Sequence, residues 1–213
     1  MTRSMKEMVL PRNALGDNEE GTGMSTGRRT WMMFLAALLA VAAAMVVSAT
    51  QPQEANATTT VSVTTCNGGT IQLNADEKRS LDLHNQTRAA NGLPGLCVHP
   101  ALTNAARSHS QEMLDKGYFA HNSYNGETVK ARLERFGYTF SGYSFWKYGE
   151  NIYWGSGTSA SPDSAHKWWM NSTGHKANIL NRDFREVGIG VRTGTYKGTT
   201  GAKMYTVDFG VRR

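Results

Sequence analysis

The sequence predicts an α+β domain in which helices are layered on the faces of an antiparallel sheet. Four segments with apolar residues at three- and four-residue steps come first, and two segments of strict apolar alternation follow near the end of the chain. The first pattern is typical of amphipathic helices and the second of half-buried strands. Because each element can hide only one apolar face, about four helices must pack against a two- or three-stranded sheet.

The first part of the chain does not resemble a domain. Residues 1–30 form a polar extension with a basic flank, and residues 31–57 contain the apolar run Trp31 to Val47 followed by small residues. This order is typical of an export signal, and we expect cleavage after Ala49 or Ala57. The run has 17 residues, the short limit for spanning a bilayer, so an uncleaved signal anchor is the alternative. Membrane contact is expected only through this segment if it is uncleaved.

The remaining residues, 58–213, carry all of the net charge of +6, because residues 1–57 contain five basic and five acidic residues. A basic exported protein suits an anionic cell envelope or membrane surface, although charge alone would suit nucleic acid equally well. No nucleic-acid-binding motif accompanies the charge, so we expect no nucleic acid partner. We divide this part into a leading segment, 58–73, and one domain, 74–213, whose length suffices for a single core.

Two cysteines lie in the exported part, Cys66 and Cys97, 31 positions apart. An even number of cysteines in an oxidising compartment favours a disulfide between them, and two unrelated buried thiols are the alternative. A disulfide would attach the leading segment to the domain and contribute roughly 3–4 kcal/mol in the chain-entropy model. The two cysteines and six scattered histidines show no zinc-finger spacing.

Start and stop signals delimit the four predicted helices. Asn74 or Asp76 caps the first helix, which runs to about Asn91, and Pro100 suits the first turn of the second, which Gly117 ends. The apolar stripe of the second helix places His109 toward the core. A third helix is expected over Thr128 to Phe136, and a fourth from Pro162 to about Ser172 with Ala165, Trp168 and Trp169 facing inward.

The strands are predicted over Phe184 to Val191 and Lys203 to Val211, which place apolar residues at alternate positions: Val187, Ile189 and Val191 in the first, and Tyr205, Val207 and Phe209 in the second. Arg192 to Gly201 is rich in glycine and threonine and predicts a long hairpin loop. Tyr138 to Tyr148, with its glycine, serine and aromatic residues, is likewise expected to be a loop.

Three residues outside the expected core are candidates for chemistry. Ser172-Thr173-Gly174 is expected to break the fourth helix and place His175 on the turn that leaves it. His121 follows the second helix in an irregular segment, and Glu150 lies between a glycine and a strand-like pair, where it either braces a turn or points into a cleft. A histidine at the solvent boundary can titrate near neutral pH or bind a metal, although a single one is more often structural.

Five motifs, in this order and spacing, resemble the CAP superfamily in its bacterial secreted branch. They are Leu83-His84-Asn85-Gln86-Thr87-Arg88, Phe119-Ala120-His121-Asn122-Ser123, Gly149-Glu150-Asn151-Ile152, Trp169 to Leu180, and Tyr205-Thr206-Val207-Asp208-Phe209-Gly210. The resemblance covers about Asn74 to Val211. It implies a three-layer α/β/α sandwich with a central antiparallel sheet and a large cleft.

The resemblance also implies a cleft with two histidines and two acidic residues. Its motifs assign the histidines to His121 and His175 and one carboxylate to Glu150, whereas Ser172, with Asn171 beside it, stands where the second acid is expected. Two imidazoles and one carboxylate can bind zinc or another divalent cation with water in the open position, but the missing acid should make the binding weak.

Two functional hypotheses follow. In the first, the protein is a secreted or envelope-associated binding module whose cleft engages an envelope polymer, a lipid or a protein. In the second, it is a metal-dependent hydrolase of peptide or ester bonds, in which a metal-bound water or Glu150 attacks. We favour the first, because the sequence has no serine or cysteine nucleophile in a recognisable turn.

Overall fold

The computed structural model describes residues 59–213, so the predicted extension and signal region, residues 1–57, lie outside the described part. No helix within this range is long and apolar enough to cross a bilayer. A 3₁₀ turn at Gly157–Ala160 accompanies the regular elements of this range. These are β1 Thr60–Thr64, β2 Thr70–Asn74, α1 Ala75–Ala90, β3 Cys97–Val98, α2 Pro100–Lys116, α3 Val129–Arg135, β4 Trp146–Gly155, α4 Pro162–Met170, α5 Thr173–Ile179, β5 Glu186–Tyr196 and β6 Thr199–Arg212.

The central sheet has four strands in the order β3-β5-β6-β4. Strands β4, β5 and β6 pair antiparallel, and the two-residue β3 adds a parallel pair at the edge of β5. The prediction of two or three strands therefore missed at least one strand of this sheet. Strand β3 in particular is too short to show an alternating pattern.

Helices cover both faces of this sheet. One face carries the main apolar cluster, in which sheet residues such as Val207 and Phe209 pack with Leu81 of α1, Trp169 of α4 and Ile179 of α5. On the opposite face α2 and α3 pack through Leu102, Ala105, Met113 and Leu133. The predicted α+β class and three-layer α/β/α sandwich are confirmed, with five α-helices in the described part where about four were expected.

Two glycines of β5 set the distance between α2 and the sheet. A Cβ atom on Gly188 would lie 2.0 Å from the carbonyl carbon of Leu102, and one on Gly190 would lie 2.3 Å from that of Ala106. These distances are far inside van der Waals contact. The helix backbone therefore rests directly on the strand backbone, and this is possible only where β5 has no side chain.

On the face of the sheet opposite α2, buried polar side chains hold both ends of α1. Asn74 and Glu77 form a reciprocal capping box at the start of α1, in agreement with the predicted cap. Near its end, the buried Arg88 donates to the carbonyl oxygens of Pro94, Ile179, Asn181 and Phe184. One guanidinium thus fastens the chain that follows α5 to α1.

The predicted disulfide between Cys66 and Cys97 is present, with the two Cα atoms 5.1 Å apart. The leading segment is a β1–β2 hairpin, which the sequence did not predict. Leu73 of this hairpin lies fully buried in the main apolar cluster. The hairpin is consequently attached to the domain by a covalent bond and by its own apolar side chain.

The predicted loop 192–201 is largely strand, and the predicted loop 138–148 is a loop up to residue 145. Strand β4 begins at Trp146, inside the predicted loop 138–148, and β5 and β6 continue to a two-residue turn at Lys197-Gly198. Both turn residues have positive φ, 47° and 80°, as in the tight hairpin turns that match strand twist. Glycine and threonine are common in loops, but here they extend the hairpin, with a register shift at Gly194/Thr195.

Candidate functional site

His121 lies in the irregular segment between α2 and α3, as predicted, with 41% of its side chain exposed. The segment leaves α2 at Gly117, whose left-handed conformation ends the helix. The His121 Nδ1 atom is 2.7 Å from Glu150 Oε1. Because a carboxylate can only accept, Nδ1 carries the proton, and in the neutral ring Nε2 keeps the lone pair.

Glu150 lies on β4, where its side chain is 2% exposed. Its second oxygen, Oε2, accepts from Nη2 of the equally buried Arg132 at 2.5 Å. Burial alone would raise the pKa of Glu150, but the hydrogen bond from His121 and the charge of Arg132 outweigh it and hold the pKa below its ordinary value. Glu150 is therefore an anion with both oxygens engaged.

His175 occupies the first turn of α5 and not a turn that leaves a helix, which corrects the sequence prediction. Glycine is a common helix stop, but Gly174 lies inside the new helix, which starts after only a short break. The His175 Nδ1 atom is 2.7 Å from Ser172 Oγ. Burial, and then the nearby charge of His121, lower the pKa of His175 to about 4, so this ring is neutral at neutral pH.

The two adjacent tryptophans of α4 have different environments. Trp169 is fully buried and donates from Nε1 to the carbonyl oxygen of Ile152. Trp168, predicted to face inward, is 40% exposed, and its ring lies 4.8 Å from that of His175. Successive helical positions point about 100° apart, so only one of the pair can enter the core. The other, Trp168, packs its ring beside that of His175.

Two asparagines fix α5 to β4. Asn178 donates to the carbonyl oxygen of Glu150 and to the side chain of Asn151, and Asn151 donates to the carbonyl oxygen of His175. A Cβ atom on Gly149 would lie 2.9 Å from Asn178 Oδ1, so the glycine before Glu150 makes room for this contact. The backbone positions of Glu150 and His175 are thereby coupled.

The same architecture is found in known proteins. Residues 81–209 match the model of the cysteine-rich secretory protein family, CAP. The chain belongs to the CAP family. The Bacillus subtilis protein YkwD is 37% identical over 118 residues, which are 55% of this chain and 43% of that protein.

Two solved structures resemble this CAP domain. An extracellular protein with an SCP domain from Bacillus anthracis is 32% identical with a TM-score of 0.51, over 65% of this chain and 40% of that one. An outer surface protein from Borrelia burgdorferi, at 20% identity and a TM-score of 0.53, shares the fold over 65% of this chain and 93% of its own. The chain thus spans less than half of the two Bacillus relatives.

The structure brings four of the predicted cleft residues of this CAP domain close together and leaves Asn171 apart from them. The side chains of His121 and Glu150 are in contact, His175 is near enough to respond to the charge of His121, and Ser172 orients His175 through its hydroxyl. Asn171 is exposed and closes α4 with its backbone N–H. In the described residues, no hydrogen bond of its side chain links it to the other four.

The expected metal site does not fit all three residues. Among residues 59–213, no three His, Cys, Asp or Glu side chains are arranged to hold a metal ion. Glu150 is not suited as a ligand, because its side chain is 2% exposed and its oxygens face the donors of His121 and Arg132. Instead it orients His121, as carboxylates behind metal-binding histidines do. The Nε2 atoms of His121 and His175 are left as possible donors, and metal uptake stays a prediction.

Three residues of the site were not predicted as such. Arg132 lies on a short helix, where an arginine is usually exposed. Asn178 lies in the motif Trp169 to Leu180, but its residue type and position there did not indicate a role in the site. His109 is buried, as the apolar stripe predicted, and its Nε2 atom is 2.9 Å from the Ala120 carbonyl oxygen, next to His121. Burial lowers the pKa of His109, so it supports the segment as a neutral ring.

Proposed function

We propose that this CAP-domain protein is a secreted or cell-envelope binding module that engages an envelope polymer, a lipid or a protein through the cleft of His121 and His175. One observation carries the proposal. The two imidazoles are near enough for the charge of His121 to lower the pKa of His175, while the charges behind His121 are buried and paired with each other as Glu150 and Arg132. Such a site offers fixed rings for recognition, and its acidic group is already satisfied.

Exposed aromatic side chains support a binding role. Phe119 and Tyr124 flank His121 in the sequence, and Trp168 contacts His175. Exposed aromatic residues are enriched in interaction sites because they bury a large area at low entropic cost. The surroundings of both histidines therefore favour contact with a ligand over contact with water alone.

An extracellular location is part of the proposal. The Bacillus anthracis relative is described as extracellular, and the Cys66–Cys97 disulfide suits an oxidising compartment. The basic residues 58–213 would be attracted to anionic envelope polymers or lipids.

The hydrolase alternative has less support in the geometry. Glu150 is 2% exposed and hydrogen-bonded through both oxygens, so attack on a substrate would require the cluster to open. His175, with a pKa of about 4, is a weak general base at neutral pH. Neither residue is poised for catalysis.

Binding is tested with the purified protein, isolated cell-wall polymer and lipid vesicles, each with and without added zinc. Trp168→Ala removes an exposed ring from the cleft, and Tyr143→Ala, which removes a ring of nearly equal exposure (41%) beside Arg212, is the matched control. We expect Trp168→Ala to weaken retention about tenfold or more, as truncation of a central aromatic contact does, and Tyr143→Ala to leave it unchanged. Equal retention by both variants, or cleavage of the polymer by wild type, would contradict a cleft-based binding module.

Zinc uptake is predicted to be weak and to depend on both imidazoles. Calorimetry at pH 7, where His175 with its pKa of about 4 is a neutral ring that can bind a metal, should show weak uptake by wild type and loss of uptake in His121→Ala/His175→Ala. His109→Ala is the control, since it should lower stability and leave uptake intact. Ser172→Glu should tighten binding by supplying the missing acid. Equal uptake by wild type and the double variant would place the metal elsewhere.

A further inference from the structure

A second carboxyl group lies beneath the cleft. Asp208 of β6 is the direct antiparallel partner of Glu150 of β4, so the two side chains project from the same face of the sheet. Asp208 is completely buried. Among the groups that the structure describes, neither of its oxygens meets an N–H or O–H donor. A buried carboxylate without a donor is costly, so this arrangement requires a physical explanation.

The neighbouring charges explain it. Arg132 from α3 and His109 from α2 lie beside the Glu150–Asp208 pair, and His121 hydrogen-bonds to Glu150. Arg132 and Glu150 neutralise each other at 2.5 Å. An ionised Asp208 would add an unbalanced negative charge to this interior.

The two carboxyl groups therefore have opposite protonation preferences. Burial first, and then the charge of Glu150, raise the pKa of Asp208 well above its usual range, and Arg132 opposes this only in part. The pKa of Glu150 is lowered, because the hydrogen bond from His121 and the charge of Arg132 overcome its burial. Neighbouring acids with diverging pKa values share one proton, which here belongs to Asp208.

We propose that Asp208 is a positioning residue of the cleft, whose carboxylic acid donates a hydrogen bond to Glu150 and so helps to hold Glu150 as the acceptor of His121 Nδ1–H. A carboxylate has about four lone-pair sites, so Glu150 can accept from Asp208, Arg132 and His121 together. His121 is thereby fixed in one tautomer, with Nε2 facing the cleft as an acceptor. The inference deepens the proposed function, on which it rests, by naming the buried residue that sets the chemistry of the binding ring.

Infrared spectroscopy tests the proton directly. At pH 7, the difference between wild type and Asp208→Asn should contain the carbonyl band of a protonated carboxylic acid, which the variant loses. Glu150→Gln should lose the same band, because Asp208 then becomes the anion that balances Arg132. Absence of the band from wild type, or its persistence in Asp208→Asn, would overturn the proposal.

Nitrogen NMR of His121 tests the positioning. Asp208→Asn keeps a donor toward Glu150 and should retain the Nδ1–H tautomer, whereas Asp208→Leu fills similar space without a donor and should give a mixture of tautomers. An unchanged tautomer in folded Asp208→Leu would overturn the proposal; if that variant does not fold, the Glu150→Gln infrared result decides. Ligand retention plays no part in either readout, so failure of the binding proposal is recognised separately.

Discussion

Arg132 is the residue that links most parts of the site. Besides Glu150, it donates to the carbonyl oxygen of His121 and to the hydroxyl of Ser123. The loop that carries His121 is thus tied to the same guanidinium that neutralises the carboxylate. Loss of this group would leave a buried anion unpaired and the loop without its anchor.

Arg132→Met is therefore expected to destabilise the protein by about 3–5 kcal/mol, the usual cost of removing one partner of a buried ion pair. Arg135→Met on the same helix is the matched control. Arg135 also pairs with a glutamate, Glu127, but its side chain is 53% exposed, so the expected cost is below about 1 kcal/mol. Urea unfolding measures both, and comparable losses would show that burial of the pair does not determine its contribution.

Sequence reasoning found the two histidines and Glu150 and missed the buried residues that surround Glu150. His121, Glu150 and His175 stand in motifs with unusual neighbours, so their residue types and positions indicated chemistry. Asp208 lies in the motif Tyr205 to Gly210, but the residue opposite it in the sheet is determined only by the β4–β6 register. A polar residue in an alternating strand gives no indication of which residue will lie opposite.

At the scale of elements, helices with clear caps were predictable and elements defined by tertiary contacts were not. The helix from Asn74 and the helix from Pro100 were placed almost to the residue, because capping side chains and glycine stops act locally. Helix α5 was missed, since its stability comes from packing of Ile179 and from Asn178 and not from a side-chain cap.

The glycines under α2 give a prediction at this scale. Gly190→Ala should push α2 away from β5, because the added Cβ would lie 2.3 Å from helix backbone that cannot move alone. The expected cost is about 3 kcal/mol or more, at the upper end of overpacking effects. Gly95→Ala is the control, since the nearest atom to its Cβ would be at an ordinary 3.6 Å. Thermal unfolding of both variants decides, and equal melting temperatures would argue against tight packing at β5.

For the whole molecule, the disulfide is expected to matter more for stability than for the fold. Cys66→Ser/Cys97→Ser should unfold at lower urea concentration, with a loss of roughly 3–4 kcal/mol from the release of chain entropy. The circular dichroism spectrum should be retained, because Leu73 still anchors the hairpin. A reducing agent should reproduce the effect in wild type and leave the double variant unaffected. Wild type insensitive to reduction would contradict this contribution.

Buried neutral histidines should make the whole protein acid-sensitive. Burial lowers the pKa of His84 to about 3, and burial also lowers the pKa values of His109, His166 and His175. Their folded pKa values lie below the unfolded value of about 6.5, so between these limits the unfolded chain binds more protons and stability falls as pH falls. His84 alone should cost about 2 kcal/mol between pH 7 and pH 5. Urea unfolding at pH 7 and pH 5 tests this, and equal stability at both would contradict it.

The asparagine contact between α5 and β4 also bears on how the protein behaves in a crowded solution. Strand β4 is an edge of the sheet, and exposed edges can pair with the edge of another molecule. Asn178 occupies the outward carbonyl oxygen of Glu150 at that edge, and α5 lies against it. The side chain that couples Glu150 to α5 therefore also covers one backbone acceptor of this edge, which would otherwise be open to a donor from another molecule.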